Sequence, residues 1–178
     1  MGTRNLTAVM LDGKYKIAQY GQWDGYPSGQ GITCLEFLRE CNLDDFKSKV
    51  AGTKIMTRDE INSLGSNWEA THPQLSRNHG AGILQLVNDG AKELSGSISF
   101  AGDSLFCEYA YVVDLDKKTF EVFQGFNNEK LSGARFNSDD QSLDSSGEYE
   151  PVKIIKTYSL DSLPTNDEFL SELEPEED

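Results

Sequence analysis

An Asp-Gly pair stands between two strand-like segments near the start of the chain. Residues 4–11 are rich in apolar and branched residues. Residues 14–20 alternate with a period of two, which predicts one common face for Tyr15, Ile17 and Gln19. Asp12-Gly13 is a typical two-residue hairpin turn, because both residue types tolerate a positive φ angle. The pattern predicts an antiparallel β-hairpin, so the fold must include a sheet.

Helix signals follow the hairpin. Thr33-x-x-Glu36 and Thr57-x-x-Glu60 both match the capping box, in which the threonine and glutamate side chains satisfy free amides at a helix start. Gly65 is predicted to end the second helix, and a third helix is predicted over about residues 78–89, before Gly90. The apolar side chains predicted to face the core from the first and third helices are Leu35, Leu38, Cys41, Ile83, Leu86 and Val87.

Strand-like segments return in the second half of the chain. Residues 105–115, 119–123 and 152–158 are rich in branched and aromatic residues, whereas residues 127–150 are polar and serine-rich and are predicted as a long surface excursion. The predicted fold class is therefore α+β. It is a single domain over residues 1–163, in which an antiparallel sheet carries helices inserted between the N-terminal hairpin and the C-terminal strands.

Acidic residues dominate the chain and concentrate at its end. The formal net charge is −14, and eight of the 30 acidic residues lie in residues 161–178, which contain no basic residue. Repulsion from phosphate groups therefore opposes direct nucleic-acid binding. Residues 164–178 are predicted as a flexible acidic tail, which either improves solubility or mimics nucleic-acid phosphates. A short docked helix is the alternative for this segment, through Phe169, Leu170 and Leu173.

The cysteines and the apolar residues indicate a cytoplasmic protein. Cys34, Cys41 and Cys107 are an odd and sparse set without a C-x-x-C pair, as expected of free thiols in a reducing compartment. No run of apolar residues approaches the roughly 20 that span a bilayer. The first residues also lack the pattern of a secretory signal. We therefore expect no membrane segment and a cytoplasmic location.

The segment from Tyr20 to Gly31 has an unusual composition for a loop, with three aromatic residues and two glutamines among four glycines. Glycines permit positive φ angles and close backbone approach, aromatic rings offer flat faces, and amide or carboxylate groups offer edge hydrogen bonds. The composition predicts a ligand or partner site. A structural corner, in which the aromatic rings cover the sheet, is the alternative. The candidate site residues are Tyr20, Gln22, Trp23, Asp24, Tyr26 and Gln30.

Three cationic residues outside this loop are candidates for anion recognition. Arg77 and His79 lie at the predicted entry of the third helix, where free amides favour anions, and Arg4 lies in the first strand. Surface capping is the alternative role. The two histidines of the chain, His72 and His79, are not spaced as zinc ligands. Neither a metal nor a cofactor is predicted.

Three motifs carry a resemblance to other proteins. They are the start Gly2-Thr3-Arg4 with the Asp-Gly hairpin, QYGQWDGYPSGQG over residues 19–31, and EYAYVVDLD over residues 108–116. With these motifs, residues 2–125 resemble a family of small proteins encoded by bacteria, prophages and phages. Shorter variants of the first two motifs resemble segments of fungal proteins. The resemblance implies no defined activity, but a phage setting implies a role in manipulating the host, by inhibiting or sequestering a component of antiviral defence.

Together these features predict a non-enzymatic cytoplasmic binding protein. It would be a phage or prophage counter-defence factor, in the host cytoplasm, that sequesters a nucleotide-like signal or inhibits a host defence protein. The sequence contains no evident pair of nucleophile and base, which argues against catalysis. The alternative is a small hydrolase or transferase that uses Asp24 with Arg4 or His79. The expected partners are a nucleotide-like small molecule or a host protein, and a homo-oligomer is left open.

Overall fold

Seven strands occur in the computed structural model, which describes residues 2–174. They are β1 (Asn5–Leu11), β2 (Lys14–Gly21), β3 (Lys54–Ile55), β4 (Glu93–Leu94), β5 (Tyr109–Asp114), β6 (Thr119–Gln124) and β7 (Lys153–Ser159). Five of them form the central sheet in the order β2-β1-β5-β6-β7, while β3 and β4 pair separately. Every neighbouring pair in the central sheet is antiparallel except β1 with β5. The predicted α+β class is confirmed.

The helices lie mainly on one face of this sheet. They are α1 (Ile32–Glu40), α2 (Leu43–Ala51), α3 (Arg58–Asn62), α4 (Trp68–Thr71), α5 (Ile83–Asn88) and α6 (Asn166–Leu173). Apolar side chains of α1, α2, α5 and α6 pack with those of the strands into the larger core cluster. None of the helices in residues 2–174 is long and apolar enough to cross a membrane.

The predicted N-terminal hairpin is confirmed. Asp12 and Gly13 take φ angles of 54° and 74°, and the carboxylate of Asp116 accepts hydrogen bonds from both of their amides at 2.8 and 2.9 Å. The pairing shifts by one residue at Lys16, because Val9 pairs with Ile17 but Met10 pairs with Tyr15. This bulge reverses the alternation. Tyr15 therefore packs on the second face and Ile17 on the helix face, so the common face predicted for them is wrong.

The second face of the sheet is covered by a 3-10 helix over Ile98–Gly102 and by residues 127–150. Residues 127–150 form neither helix nor strand, as predicted, but they are more than a surface excursion. Phe136 is buried there, with its ring centre 5.1 Å from that of Phe123. The guanidinium of Arg135 donates to the buried carboxylates of Asp114 and Glu121. One apolar anchor and one ion-pair cluster thus fix this long segment on the sheet.

The helix starts agree with the sequence prediction in one case and differ in the other. At Thr57 both hydrogen bonds of the capping box to Glu60 are present. The box predicted at Thr33 is wrong, because α1 begins one residue earlier and continues from a π-helical turn over Pro27–Gly31. The Thr33 hydroxyl therefore lies inside the helix and donates to the Gly29 carbonyl at 3.3 Å.

The third predicted helix is shorter than expected. A 3-10 turn over Gly80–Gly82 precedes α5, and Gly90, with a φ angle of 117°, follows the helix as predicted. Ile83 and Val87 are buried and Leu86 is half-buried against the core. In the first helix Leu35 and Leu38 are buried, whereas Cys41 is only partly buried.

Residues 166–173, predicted as part of a flexible acidic tail, instead form the docked helix α6. Thr165 and Glu168 make a complete capping box. Phe169 is fully buried, with its ring stacked 6.0 Å from that of Phe120. One fully buried aromatic side chain outweighs the repulsion between the acidic residues, which stay on the exposed side of the helix. Residues 175–178 of the predicted tail lie outside the described residues.

Candidate functional site

A cleft of about 890 Å³ opens at one end of the central sheet. The cleft lies where β1 and β5 begin and β2 ends, so residues distant in sequence meet there. Residues 56–78, which include α3 and α4, form an outer wall, and residues 95–100 contribute serines and Phe100. We call this pocket the arginine cleft, after the residues Arg4, Arg58 and Arg77 that line it.

The arginines of the cleft are distinguished by their lack of protein partners. Three of the five arginines of the chain line the cleft, and none of the eleven lysines does. Within residues 2–174, the guanidinium groups of these three arginines make no hydrogen bond or ion pair to protein. Arg39 and Arg135, outside the cleft, are both hydrogen-bonded. The cleft therefore presents unused cationic donors in a strongly acidic protein.

Two of these arginines lie over aromatic rings. The guanidinium carbon of Arg77 is 4.4 Å from the centre of the Tyr20 ring. That of Arg4 is 5.3 Å from the centre of the Phe106 ring. Such stacking holds a guanidinium plane in place while leaving its edge free to donate. Tyr20 is held in turn by Phe100, at 5.2 Å between ring centres, and by its hydroxyl, which donates to the Gln22 side chain at 2.6 Å.

The strand register explains why the two arginine–aromatic pairs are neighbours. Tyr20 pairs with Leu6 across β1 and β2, and Leu6 points to the second face of the sheet. Arg4 precedes Leu6 by two residues, and its carbonyl accepts from the Glu108 amide at 3.0 Å, which extends the β1–β5 ladder. Because side chains alternate along a strand, Arg4 and Tyr20 point to the same side of the sheet.

The backbone of the glycine-rich loop is held by buried polar side chains. Asn5 donates through its amide nitrogen to the carbonyls of Thr3 and Trp23, at 3.0 and 3.1 Å. Gln30 donates to the Trp23 carbonyl at 3.1 Å and accepts from the Ala81 amide at 2.7 Å. The Tyr111 hydroxyl donates to the Gly25 carbonyl at 2.7 Å. Gln30 thus acts as a structural residue, and the loop backbone is a rigid corner.

The same corner displays aromatic side chains to solvent. Trp23 is 56% exposed and Tyr26 is 49% exposed, although the Tyr26 ring centre lies 5.9 Å from that of Tyr109 in β5. Asp24 is also exposed and takes a positive φ angle of 56°. The loop therefore combines both alternatives raised by the sequence: a fixed backbone and a free aromatic surface.

The structure divides the predicted site residues into groups. Arg4, Tyr20 and Arg77 meet in the arginine cleft. Asp24, Tyr26 and Gln30 line a separate and smaller cleft of about 450 Å³. Gln22, Trp23 and His79 line neither cleft, and the His79 ring nitrogen Nε2 lies 2.7 Å from the Pro73 carbonyl.

The alternative of an enzyme that uses Asp24 with Arg4 or His79 requires these side chains to lie close together. Asp24 and Arg4 line different clefts, and His79 lines neither of them. Among the hydrogen bonds and ion pairs of residues 2–174, none joins Asp24 to Arg4 or His79. No contact in the described part of the chain therefore supports catalysis by these residues.

Several residues of the arginine cleft were missed by reasoning from sequence. Arg58 was treated only as part of a capping box, and Phe106 was assigned to a strand that actually begins at Tyr109. Trp68 and Phe100 also line the cleft. Their sequence positions carry no common motif, because it is the sheet order that brings residues 4, 20 and 106 to one end of the molecule.

Residues 2–174 contain no group of three or more His, Cys, Asp or Glu placed to hold a metal ion. The three cysteines are free thiols, as predicted. Burial raises the pKa of Cys34 to about 12, so this thiol is protonated near neutral pH and is a poor nucleophile.

A comparison of the chain with protein-family models, with curated proteins and with solved structures finds no match.

Proposed function

We propose that this chain is a non-enzymatic binding protein that takes up an anionic, ring-bearing small molecule of the nucleotide type in the arginine cleft. One observation carries the proposal: a single cleft holds three arginines whose guanidinium groups make no hydrogen bond or ion pair within residues 2–174, and two of them lie over aromatic rings. Guanidinium groups match the geometry of phosphate oxygens and bind them through paired hydrogen bonds. The rings of Phe106, Phe100 and Trp68 supply apolar surface for a base.

The polar residues of the cleft fit the remaining parts of such a ligand. Ser95, Ser97 and Asn78 offer hydroxyl and amide groups that recognise the edge of a base. Glu69 and Asp144 are the acidic residues of the cleft. Their carboxylates would accept from amino or hydroxyl groups and repel phosphate, and so would orient the ligand.

The charge of the whole chain favours a small ligand over a polymer. With a net charge of −14, the surface outside the cleft repels long polyanions such as DNA and RNA. A nucleotide-sized anion can enter the cleft, where three arginines line the wall against two acidic residues. We therefore propose sequestration of a nucleotide-like signal in the cytoplasm. In the setting implied by the resemblance to phage and prophage proteins, this would counteract a host defence.

Native mass spectrometry of protein purified from host cells tests this proposal. We expect the wild type to retain, or to take up from a nucleotide panel, one small anionic molecule. The double variant Arg4→Gln/Arg77→Gln should lose it. Lys47→Gln/Lys49→Gln removes the same charge from exposed positions of α2 and serves as the matched control. Binding that is absent in the wild type, or equal in both double variants, would refute the proposal.

A second candidate function, inhibition of a host protein, rests on a different observation. Among the described residues, six large apolar side chains are exposed, and four of them lie at the same end of the sheet: Trp23, Tyr26, Phe106 and Phe126. Aromatic side chains on a rigid backbone are typical anchors of protein interfaces. Capture of one defined host protein by the wild type, and its loss in Trp23→Ala/Asp24→Asn, would support this function. Equal capture by both proteins would oppose it.

A further inference from the structure

We infer that the ligand of the arginine cleft has two aromatic rings joined through phosphate, as in a dinucleotide, rather than one ring as in a mononucleotide. This inference rests on the proposed function and specifies its ligand class. It starts from a duplication in the cleft. Arg77 with Tyr20, and Arg4 with Phe106, each combine one cation with one aromatic ring. Tyr20 is buried between Arg77 and Phe100, so the surface that can stack on a ligand ring is the face of the Arg77 guanidinium that points away from Tyr20, while its edge donates to a phosphate oxygen. The Arg4–Phe106 pair can serve a second ring and a second phosphate oxygen.

The sheet sets the distance between these two pairs. Tyr20 belongs to β2 and Phe106 leads into β5, and β1 lies between these strands. Neighbouring strands are about 4.8 Å apart, so β2 and β5 are separated by about 10 Å, and Phe106 lies three residues before β5 begins. Tyr20 and Arg4 point to the same side of the sheet and both line the cleft. A single base attached to its own phosphate would engage one pair and leave the other empty.

The outer wall adds a third arginine and a further aromatic ring. Arg58 on α3 and Trp68 on α4 line the cleft from outside the sheet. The three arginines thus line one cleft from more than one side. A ligand with a bridging phosphate or diphosphate would place its negative charge among these cations, with a ring at either end.

The size of the cleft agrees with this ligand class. Small-molecule sites usually enclose roughly 300–1,000 Å³. The arginine cleft, at about 890 Å³, lies near the upper end of that range. A mononucleotide would leave much of this volume to water, whereas a molecule of two nucleotide units would bring both arginine–aromatic pairs into contact.

Calorimetric titration with a graded series of ligands tests this inference. The series consists of 5′-mononucleotides, 5′–5′ dinucleotides joined by diphosphate, and linear and cyclic 3′–5′ dinucleotides. We expect at least one dinucleotide to bind one per chain, and at least about 100-fold more tightly than its mononucleotide, because linkage makes the second contact intramolecular. Arg4→Gln and Arg77→Gln should each reduce that advantage to less than about tenfold. Circular dichroism of both variants establishes that they remain folded.

The possible failures separate the two proposals. Mononucleotides that bind as tightly as every dinucleotide would overturn the two-ring inference and leave the proposed function in place. Two mononucleotides bound per chain, one lost in Arg4→Gln and the other in Arg77→Gln, would support two ring subsites. If no member of the series binds, both the inference and the proposed function are refuted.

Discussion

The guanidinium of Arg77 lies over the ring of Tyr20, with 4.4 Å between its central carbon and the ring centre. Tyr20 is the penultimate residue of β2, and Arg77 belongs to the connection between α4 and α5. The pair therefore joins the sheet to the outer wall of the arginine cleft. Because Tyr20 is fixed from behind by Phe100, the position of the Arg77 guanidinium is set by the sheet itself.

Replacing Arg77 by lysine separates its geometry from its charge. Lysine keeps the positive charge but lacks the planar fork that stacks on a ring and pairs with two phosphate oxygens. We expect Arg77→Lys to weaken binding of a nucleotide ligand about tenfold, measured by calorimetry. The melting temperature should change little, because Arg77 is exposed. An affinity equal to that of the wild type would show that only charge matters at this position.

Trp23→Ala and Asn5→Ala should lower the free energy of unfolding by different amounts. Trp23→Ala should cost well under the roughly 3–5 kcal/mol of a buried tryptophan, because the side chain is 56% exposed. Asn5→Ala removes a buried amide that holds the Thr3 and Trp23 carbonyls, and it should cost about 1–3 kcal/mol. Urea unfolding of both variants measures the difference. A larger loss for Trp23→Ala would show that the loop is mainly a structural corner.

Helix α6 should be required for full stability. Phe169 is fully buried, so Phe169→Ala should cost roughly 3–5 kcal/mol, and truncation after Leu163 should lower the melting temperature by many degrees. Asp167→Asn, on the exposed side of the same helix, is the matched control and should be nearly neutral. Thermal unfolding followed by circular dichroism distinguishes them. An unchanged melting temperature after truncation would mean that the helix does not pack in solution.

The cluster of Arg135, Asp114 and Glu121 should make stability depend on pH. Burial by itself would raise the pKa of Asp114, but the amides of Lys117 and Asp116 and the Arg135 guanidinium outweigh it, and the pKa lies below its usual 3.8. A carboxyl whose pKa is lowered by folding stabilises the fold above its unfolded pKa. That contribution is lost as pH falls through the folded pKa, so the loss occurs below pH 3.8.

The variant Arg135→Met tests this cluster. At pH 7 it leaves two buried carboxylates without their cation, and we expect a loss of about 3–5 kcal/mol. At pH 3 the loss should be smaller, because protonation then neutralises the Asp114 carboxyl in the variant. Urea unfolding at both pH values provides the comparison. An equal loss at pH 7 and pH 3 would assign the role of Arg135 to packing alone.

Local patterns in the sequence were sufficient for much of the fold. The Asp12-Gly13 turn and the Thr57 capping box are each indicated by residues close together in the sequence, and both are confirmed, although Asp116 also holds the turn. The predictions that were wrong concern features that depend on residues distant in the sequence. The bulge at Lys16 and the packing of α6 depend on contacts made across the sheet, which alternation and composition do not encode.

The candidate site shows the same division. The unusual composition of the loop over residues 20–31 predicted a ligand or partner site, and in the structure Trp23 and Tyr26 are exposed whereas Tyr20 is buried. The sequence also contained Arg4 and Arg77 as candidates, but nothing in their spacing linked them to Phe106 or Arg58. Each of these residues looks ordinary in its own segment.

The sequence by itself determined the hairpin and the α+β class, because turn geometry and strand alternation act over a few residues. Only the tertiary structure decided that Arg4, Tyr20, Arg58, Arg77 and Phe106 share one cleft. The parallel pairing of β1 with β5 places residues about 100 positions apart at the same end of the sheet. That juxtaposition depends on the free energy of the whole core, which no single segment determines.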